Sequence, residues 1–571
     1  MEKNQDQFYI KDLLPPMNIE CNIQNIMIPS RDGVKLHTAI YSPLNFKGKT
    51  GAIIVRCPYL PTSYFQLPDP DCLKNGFVFV VQSCRGTSWS EGEFDPAEPD
   101  LERNDAEDLL QWLSEQPWFN GRAIMKGDSY GAHVQWNAMR AFRPELVGIT
   151  PRVSPLWGCS GSALPGGNMA HSFSVCWNLR LHHARQFSMT VPDYYKMGLM
   201  EKQPILDADK FAGYGELKPF RKFMKRIRKP AEIYRNLEKD FEQFRAPAYI
   251  AGGWFDMFKE ETLETFRLMK QYAKNDHARN HTRMVIGPWG HLGLLNPDLF
   301  GKENNWKGWD KNAREFSYSL LKNPAKDPLP KEPIVTYFML GENKWYHSET
   351  WPPANGNEKI FYLHSGGNAN SLKGDGTLSG EKNGAAEPYD SYLSDPNQPV
   401  PSNLGQTDSP GCYDRNPILE RSDVLVFTSA PMKKSMTVAG EVKLRFYAKV
   451  STPDTDFFAT LTDVTPDGKS YLLTQGMIRA RYRKSLKKAE LLEQGKIYEF
   501  EINLSHIAVK FLPGHSIRLD LCGQNFPVSD RNCNTGNDPL TDTELRISRH
   551  EILHDADHPA QLILPVLTAK K

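Results

Sequence analysis

Apolar positions follow two different patterns along the chain. Up to about residue 330, short apolar runs such as Ala52–Val55, Phe77–Gln82 and Ala248–Ala251 alternate with longer segments of helical periodicity. Continuous runs of this kind are typical of strands buried on both faces of a parallel sheet. Near the start, two strand-like runs flank Arg31–Gly33, a tight-turn signal that predicts a hairpin. We therefore predict an α/β core formed by residues 1–153 and 246–330.

Beyond a proline-rich linker the pattern changes. Apolar runs such as VTYFML, VKLRFYAKV and FFATLTDV follow one another with turn signals between them and no helical segments. This succession is typical of a β-sandwich. It predicts an all-β domain over residues 331–571, with VTYFML as its first strand.

Between residues 154 and 245 the strand rhythm stops, which predicts a helical cap inserted into the α/β core. One segment of it, KPFRKFMKRIRK, carries seven basic residues. They could form a site for an acidic partner or a membrane surface. However, Phe220, Phe223, Met224 and Ile227 recur at helical spacing, so the simpler interpretation is an amphipathic helix with a solvated basic face.

Composition narrows the functional class. With 571 residues, of which 40% are hydrophobic, the chain has the composition of an ordinary soluble globular protein. Its net charge of +1 argues against a nucleic-acid partner. No apolar run approaches the ~18 residues of a spanning helix, so no membrane partner is expected. The polar start predicts no secretory signal. Nine cysteines without C-x-x-C spacing favour a reduced, cytoplasmic setting and no metal site. The oligomeric state is left open, a homodimer included.

The stretch Gly127-Asp128-Ser129-Tyr130-Gly131 reads G-x-S-x-G. It follows the apolar run Ala123–Met125 and precedes a segment without Gly or Pro, so it predicts a nucleophile elbow between a strand and a helix. Upstream, Asn104 with Glu107 three residues later predicts the capped start of a helix. The alternative is a serine in an ordinary tight turn.

A serine nucleophile needs a base and a group that orients the base. His291 and Asp256 each follow a predicted buried strand, and the order Ser129, Asp256, His291 is the one expected for α/β-hydrolases. His291 could instead be a structural loop residue, and Asp256 a helix N-cap. His277 and His281 precede their strand and would lie at the opposite edge of the sheet, and we expect His133 to pack within a helix.

The oxyanion of a tetrahedral intermediate needs hydrogen-bond donors. The backbone N–H of Tyr130, directly after the nucleophile, is the first candidate. Tyr59 follows another predicted strand and carries a phenolic O–H. On position alone, Tyr59 could equally be packed against the edge of the sheet.

Several motifs occur together in the same order: RCPY from Arg56, CRGTSWSEGEF from Cys84, GDSYG, GGWFD, GPWGH, and in the β-domain DTDFFATLTDVTPDG and PGHSIRLDL. In these the chain resembles the cocaine-esterase-like (CocE/NonD) hydrolases, which are related to X-Pro dipeptidyl peptidases. The resemblance implies an α/β-hydrolase core, a helical cap and a C-terminal jelly-roll. It also implies Ser129 as nucleophile, His291 as base, Asp256 as its orienter, and Tyr59 with the Tyr130 backbone as oxyanion hole, with no cofactor. Asp128, beside the nucleophile, would disfavour anionic acyl groups if it faced the substrate.

We expect hydrolysis of a small-molecule ester or amide through an acyl-enzyme. The alternatives are an acyltransferase, an X-Pro dipeptidyl peptidase, and a carbohydrate- or protein-binding protein with an inactive core. Residues 154–185 contain no Asp or Glu that could bind a free α-ammonium, which favours an uncharged ester. The apolar residues there that suit such a substrate are Trp157, Leu164, Phe173, Trp177 and Leu179, whereas acidic residues follow at Asp193, Glu201, Asp207 and Asp209.

Overall fold

The computed structural model describes most of the chain. The described residues are 20–44, 46–59, 69–156, 165–183, 197–227, 237–294, 296–305, 307–322, 331–402 and 411–568.

A ten-stranded sheet forms the centre of the α/β core. Its strands are β1 (Cys21–Pro29), β2 (Lys35–Pro43), β3 (Thr50–Cys57), β4 (Val78–Ser83), β5 (Phe119–Asp128), β6 (Leu146–Arg152), β7 (Tyr249–Gly253), β8 (Arg283–Gly287), β11 (Val335–Met339) and β12 (Lys344–Ser348). Two short strands, β9 (Trp289–Gly290) and β10 (Gly293–Leu294), pair separately. The order across the sheet is β1-β2-β4-β3-β5-β6-β7-β8-β11-β12. The pairs from β4 to β11 are parallel, and the predicted hairpin β1–β2 is confirmed.

The prediction that VTYFML begins the β-sandwich is wrong. Strand β11 instead pairs in parallel with β8, and Val335 lies opposite Met284. Strand β12 then closes the edge as an antiparallel hairpin partner of β11. Without this hairpin, β8 would expose its unpaired backbone groups, which a sheet edge avoids. The sequence pattern therefore changes to strands alone while the chain is still forming the last two strands of the core sheet.

Helices cover the two faces of the core sheet. They are α1 (Pro70–Lys74), α2 (Pro99–Ser114), α3 (Tyr130–Met139), α8 (Lys259–Tyr272), α9 (Asp276–His281), α10 (Pro297–Phe300) and α11 (Lys307–Leu321). Helix α2 begins five residues before the predicted cap at Asn104, so that prediction is wrong. Pro99 occupies the first helical position, where its fixed φ and missing N–H suit a helix start.

The cap contributes short helices and one π-helical turn at Phe173–Trp177. The helices are α4 (Asn178–His183), α5 (Ala208–Phe211), α6 (Lys218–Ile227) and α7 (Leu237–Phe241). Helix α6 buries its four apolar residues and leaves Lys222 and Lys225 exposed, as predicted for an amphipathic helix. Leu179 packs in the same interior cluster as Phe220 and is fully buried.

The C-terminal domain is β-rich, as predicted. Its strands are β13 (Gly356–His364), β14 (Thr377–Ser379), β15 (Asp390–Ser394), β16 (Val424–Ser429), β17 (Met436–Val450), β18 (Asp456–Val464), β19 (Ser470–Arg479), β20 (Ile497–Phe511), β21 (Ser516–Cys522), β22 (Ser548–Leu553) and β23 (Gln561–Leu567). They join in one hydrogen-bonded network. One short helix, α12 (Asn416–Leu419), packs against β16.

A buried polar cluster joins the cap to the C-terminal domain. Arg479 donates to Asp456 at 2.8 Å and to Asp530 at 3.3 Å. From the cap, Asn168 donates to Asp456 at 2.8 Å, and the backbone N–H of Met169 donates to Asp530 at 2.7 Å. All five residues are within 1% of full burial. Because each buried charge has a partner, the cluster fixes the start of the cap segment that leads to Phe173.

In the part of the chain that the structure describes, no helix is long and apolar enough to cross a membrane.

Candidate active site

Ser129 occupies a sharp turn between β5 and α3. Its backbone has φ 57° and ψ −123°, an uncommon conformation for a residue other than glycine. Gly127 has φ +150°, and a Cβ there would lie 3.0 Å from the carbonyl oxygen of Gly131. Strand and helix therefore approach closely only because the flanking residue lacks a side chain. The geometry is the strand-turn-helix that the G-x-S-x-G pattern predicts.

The structure brings Ser129, His291 and Asp256 into one hydrogen-bonded row. His291 Nε2 lies 2.9 Å from Ser129 Oγ, and His291 Nδ1 lies 2.7 Å from Asp256 Oδ2. The Asp256 side chain is fully buried, whereas that of His291 is 16% exposed. Asp256 Oδ1 also accepts a hydrogen bond from the backbone N–H of Phe258 at 2.7 Å. This second contact fixes the carboxylate, so Asp256 both organises the start of α8 and orients His291.

The loops that follow β7 and β8 place Asp256 and His291 at the same edge of the sheet. The backbone N–H of Phe255 donates to the carbonyl of Trp289 at 3.0 Å, which ties the two loops together. At Gly253 a Cβ would lie 2.0 Å from the same carbonyl oxygen. This close approach therefore requires Gly253, the second glycine of GGWFD.

The other candidate histidines lie elsewhere. His277 and His281 are in α9, which precedes β8, and their rings contact each other. His133 is fully buried in α3, and its Nε2 accepts a hydrogen bond from Asn137 Nδ2 at 2.9 Å. Burial, with the nearby charge of Arg140, lowers the pKa of His133 to about 3. His133 is thus a packed neutral residue, as predicted.

Tyr59 reaches Ser129 from the loop after β3. Its hydroxyl lies 3.5 Å from Ser129 Oγ and accepts a hydrogen bond from the indole N–H of Trp177 at 3.3 Å. The phenol is therefore held between the cap and Ser129. The contact with Trp177 was not predicted from the sequence.

A buried ion pair lies beneath the elbow. The Tyr130 hydroxyl donates to Glu102 Oε1 at 2.9 Å, and Arg56 pairs with Glu102 Oε2 at 2.9 Å. Arg56 also donates to Gln82 at 2.8 Å. Sequence reasoning missed Arg56 and Glu102 as parts of the site. Arg56 could have been found from the RCPY motif, because it begins the motif that ends at Tyr59.

Asp128, beside Ser129, forms an ion pair with Arg152 at the end of β6. Arg152 Nε donates to Asp128 Oδ1 at 2.8 Å. A second carboxylate, Asp310, lies 3.5 Å from the Arg152 guanidinium. The charge of Asp128 is thus balanced by a partner on the adjacent strand.

Aromatic rings from the cap and the core form a continuous wall beside His291. The Phe258 ring meets His291 edge-on at 5.4 Å, Phe173 meets Phe258 at 5.6 Å, and Trp177 stacks on Phe173 at 5.4 Å. Of the apolar cap residues that the sequence suggested for substrate contact, Phe173 and Trp177 lie in this wall. Leu179 does not, because it packs in the interior of the cap. Trp157 and Leu164 lie outside the described residues.

The acidic residues of the cap do not gather around Ser129. Asp207 and Asp209 both pair with Arg221 of α6, at 2.7 and 2.8 Å, and Glu201 is exposed. Asp193 lies outside the described residues. Among the residues that the structure describes, no cluster of three or more His, Cys, Asp or Glu side chains could hold a metal ion.

This sheet, with a serine at the turn after its fifth strand and a histidine and an aspartate beside it, defines the class of α/β serine hydrolases. The chain matches the X-Pro dipeptidyl-peptidase (S15 family) over residues 32–293. It matches the X-Pro dipeptidyl-peptidase C-terminal non-catalytic domain over residues 330–563. Cocaine esterase of Rhodococcus sp. (strain MB1 Bresler) is 32% identical over an alignment 588 residues long. The alignment covers 95% of this chain and 98% of that protein. The chain therefore belongs to the cocaine-esterase (CocE/NonD) family of serine hydrolases.

Two solved structures share the whole architecture. An aminopeptidase from a marine sediment archaeon, Thaumarchaeota archaeon, superposes with a TM-score of 0.81 at 23% identity, over 98% of this chain and 97% of that one. An α-amino acid ester hydrolase gives a TM-score of 0.79 at 22% identity, over 97% and 98%. These likenesses confirm the predicted α/β-hydrolase fold with its β-rich C-terminal domain.

Proposed function

We propose that this protein hydrolyses small, uncharged carboxylic esters through an acyl-enzyme on Ser129. The observation that carries the proposal is the hydrogen-bonded row from Ser129 Oγ through His291 to Asp256, at 2.9 and 2.7 Å. A serine hydroxyl is a weak nucleophile alone, and a base at this distance activates it. No cofactor is needed for this reaction.

In the first half of the reaction, Ser129 Oγ attacks the ester carbonyl and its proton passes to His291 Nε2. Asp256 holds the Nδ1–H and stabilises the imidazolium. The oxyanion is bound by the backbone N–H of Tyr130 and the hydroxyl of Tyr59. His291 then returns the proton to the departing alcohol oxygen, which leaves the acyl group on Ser129.

In the second half, His291 takes a proton from water, and the resulting hydroxide attacks the acyl carbonyl. The second tetrahedral intermediate collapses, the carboxylic acid leaves, and Ser129 Oγ recovers its proton from His291. An alcohol or amine in place of water would give acyl transfer with the same residues. Product analysis in the presence of a competing alcohol measures the ratio of the two reactions.

The surroundings of Ser129 favour an uncharged substrate. The wall of Phe173, Trp177 and Phe258 offers apolar contact, while a free α-ammonium would need a carboxylate without another partner. Asp128, next to Ser129, pairs with Arg152, and Asp256 is engaged by His291. An ester therefore fits this site better than an X-Pro peptide.

The assignment of Ser129 is tested by active-site labelling. A fluorophosphonate should add one adduct to the protein, and peptide mass spectrometry should locate it on Ser129. Ser129→Ala should abolish labelling, whereas the matched variant Ser88→Ala, in the loop after β4, should retain it. An adduct on another serine, or none, would remove the assignment.

The substrate class is tested by comparing kcat/KM for p-nitrophenyl acetate and butyrate with that for Ala-Pro-p-nitroanilide. We expect the esters to react faster. A faster reaction with the peptide anilide would reverse the substrate proposal while leaving the Ser129 chemistry intact.

A further inference from the structure

A cavity lies where the core, the cap and the C-terminal domain meet. Its volume is about 680 Å³, within the range of pockets that hold small molecules. Its apolar walls come from all three parts of the molecule and include Phe173, Trp254, Phe255, Phe458, Leu472 and Met477. It borders Asp256, but Ser129, Tyr59 and His291 are not among its described lining residues. It shares Phe173 with the aromatic wall beside His291, so it adjoins the space in which the ester would react.

Lys259, the first residue of α8, lines this cavity. The residue is only 7% exposed. Its ammonium donates to Thr474 Oγ1 at 3.2 Å, while the Thr474 hydroxyl donates in turn to the carbonyl of Leu504. An ammonium has three donors. In the described part of the chain, Thr474 is the one hydrogen-bond acceptor of Lys259, and no carboxylate lies within ion-pair distance.

The acidic residues around the cavity have partners of their own. Glu260 accepts from Ser505 and the His506 backbone, and Glu264 pairs with Arg267 at 2.7 Å. Glu501 pairs with Arg445 at 3.0 Å and Asp256 with His291 at 2.7 Å, while Glu261 is also engaged. Asp256 and Glu260 act on Lys259 through space and favour its charged form.

A buried cation with two free donors is costly unless an anion reaches it. Burial lowers the pKa of Lys259 to about 8, so the ammonium form still dominates at neutral pH. Five carboxylates also line the cavity, but each is already engaged, and Lys259 is the one cationic side chain among the described lining residues. A molecule with a hydrocarbon body and one negative end would pair with this cation and pack against the apolar part of the wall. The anion that best matches a lysine without extra cationic neighbours is a single carboxylate.

We propose that this cavity binds an apolar monocarboxylate, whose carboxylate pairs with Lys259 and whose hydrocarbon part packs against the aromatic and aliphatic walls. The proposal does not depend on the chemistry of Ser129, although the cavity adjoins the proposed reaction centre through Asp256 and Phe173. It adds an anion-recognition function to the junction of the three parts of the molecule.

Calorimetric titration of the full-length protein with octanoate tests this site, with octanamide as the uncharged ligand of similar shape. We expect one octanoate per chain and an affinity for octanamide about tenfold weaker or more, because the amide lacks the charge. Lys259→Met, similar in length but uncharged, should lose octanoate affinity by a similar factor. Lys274→Met, an exposed control beyond the same helix, should not, and Lys259→Arg should keep the binding.

The pH profile gives a second readout that needs no variant. A protonated Lys259 binds the carboxylate, so octanoate affinity should fall as pH rises from 7 to 9, through the lysine pKa near 8. Equal affinities for octanoate and octanamide, a flat pH profile, or unchanged binding to a folded Lys259→Met would each overturn the proposal. So would loss of octanoate binding after fluorophosphonate labelling of Ser129, because that would place octanoate at the reaction centre.

Discussion

Glu102 connects the end of β3 to the start of α3, beneath Ser129. One of its oxygens accepts from the Tyr130 hydroxyl at 2.9 Å, and the other pairs with Arg56 at 2.9 Å, three residues before Tyr59. The side chains of both charged residues are almost fully buried. The backbone N–H of Tyr130 and the hydroxyl of Tyr59 are thus positioned from one ion pair beneath them.

Removal of Arg56 should destabilise the fold. Arg56→Met leaves the Glu102 carboxylate buried without its cation, a change that typically costs about 3–5 kcal/mol. Thermal unfolding followed by circular dichroism should show a clearly lower midpoint, and adding Glu102→Leu should restore part of it. Arg31→Met, which breaks a surface pair with Glu107, serves as the control and should change the midpoint little. Equal losses in the two single variants would contradict this role.

Ser129→Ala should abolish ester hydrolysis while leaving the protein folded. Loss of a serine nucleophile lowers kcat by about 10⁶, and the hydroxyl contributes little to packing. Steady-state rates with p-nitrophenyl butyrate, together with an unchanged circular dichroism spectrum, check both halves. A variant that keeps more than about a hundredth of the activity would exclude Ser129 as the nucleophile.

Asp256→Asn should lower kcat by about 10⁴, because the amide favours the wrong tautomer of His291. KM should change little, since the carboxylate contacts His291 and the Phe258 backbone rather than the substrate. The measurement is a full Michaelis–Menten analysis of the purified variant. If its kcat matched that of the wild type, another carboxylate would have to orient the base.

Tyr59→Phe should lower kcat by about 10² to 10³ with little effect on KM. The ring volume is preserved and only the hydroxyl that faces Ser129 Oγ is lost. Trp177→Phe keeps an aromatic wall but removes the donor to Tyr59, so it should have a smaller effect. A change confined to KM in Tyr59→Phe would make Tyr59 a pocket wall instead.

Acid should destabilise the protein through two of its buried histidines, His133 and His550. Burial lowers the pKa of both His133 and His550 to about 3, whereas an unfolded histidine titrates near about 6.5. Between these values the unfolded state binds more protons, so stability is lost as pH falls below about 6.5. At pH 5 the loss is about 2 kcal/mol for each histidine.

The measurement is the unfolding midpoint at pH 7.5 and pH 5. In His133→Gln, Asn137 can still donate to the side-chain oxygen, and the drop in midpoint between the two pH values should shrink. His347→Gln, at an exposed position, should show the same drop as the wild type. If the midpoint of His133→Gln fell between the two pH values by as much as that of the wild type, groups other than His133 would cause the loss of stability in acid.

The residues of the candidate site could be predicted because each one follows a buried apolar run. Ser129, Asp256 and His291 follow within four residues of the ends of β5, β7 and β8, and the carboxyl ends of parallel strands meet at one edge. What the sequence could not supply are contacts between distant side chains. The hydrogen bond from Trp177 to Tyr59 joins residues 118 positions apart, and nothing local to either residue specifies it.

Two predictions about elements were wrong for physical reasons. Asn104 and Glu107 form a capping pattern by spacing, yet Pro99 starts the helix earlier, because a proline at the first helical position is favourable without a side-chain cap. VTYFML has the pattern of any buried strand, so its own residues do not specify which sheet it joins. It joins the core sheet because it pairs with the otherwise unpaired edge of β8.

The anchoring of Asn168 and Met169 to Asp456 and Asp530 has a consequence for engineering. The anchor lies only a few residues before Phe173 and Trp177, so the C-terminal domain helps to set the position of the aromatic wall. The cap contributes as well, because the Trp177 ring contacts Phe223 of α6. A cap transplanted from a relative must therefore bring the matching residues of its own C-terminal domain with it.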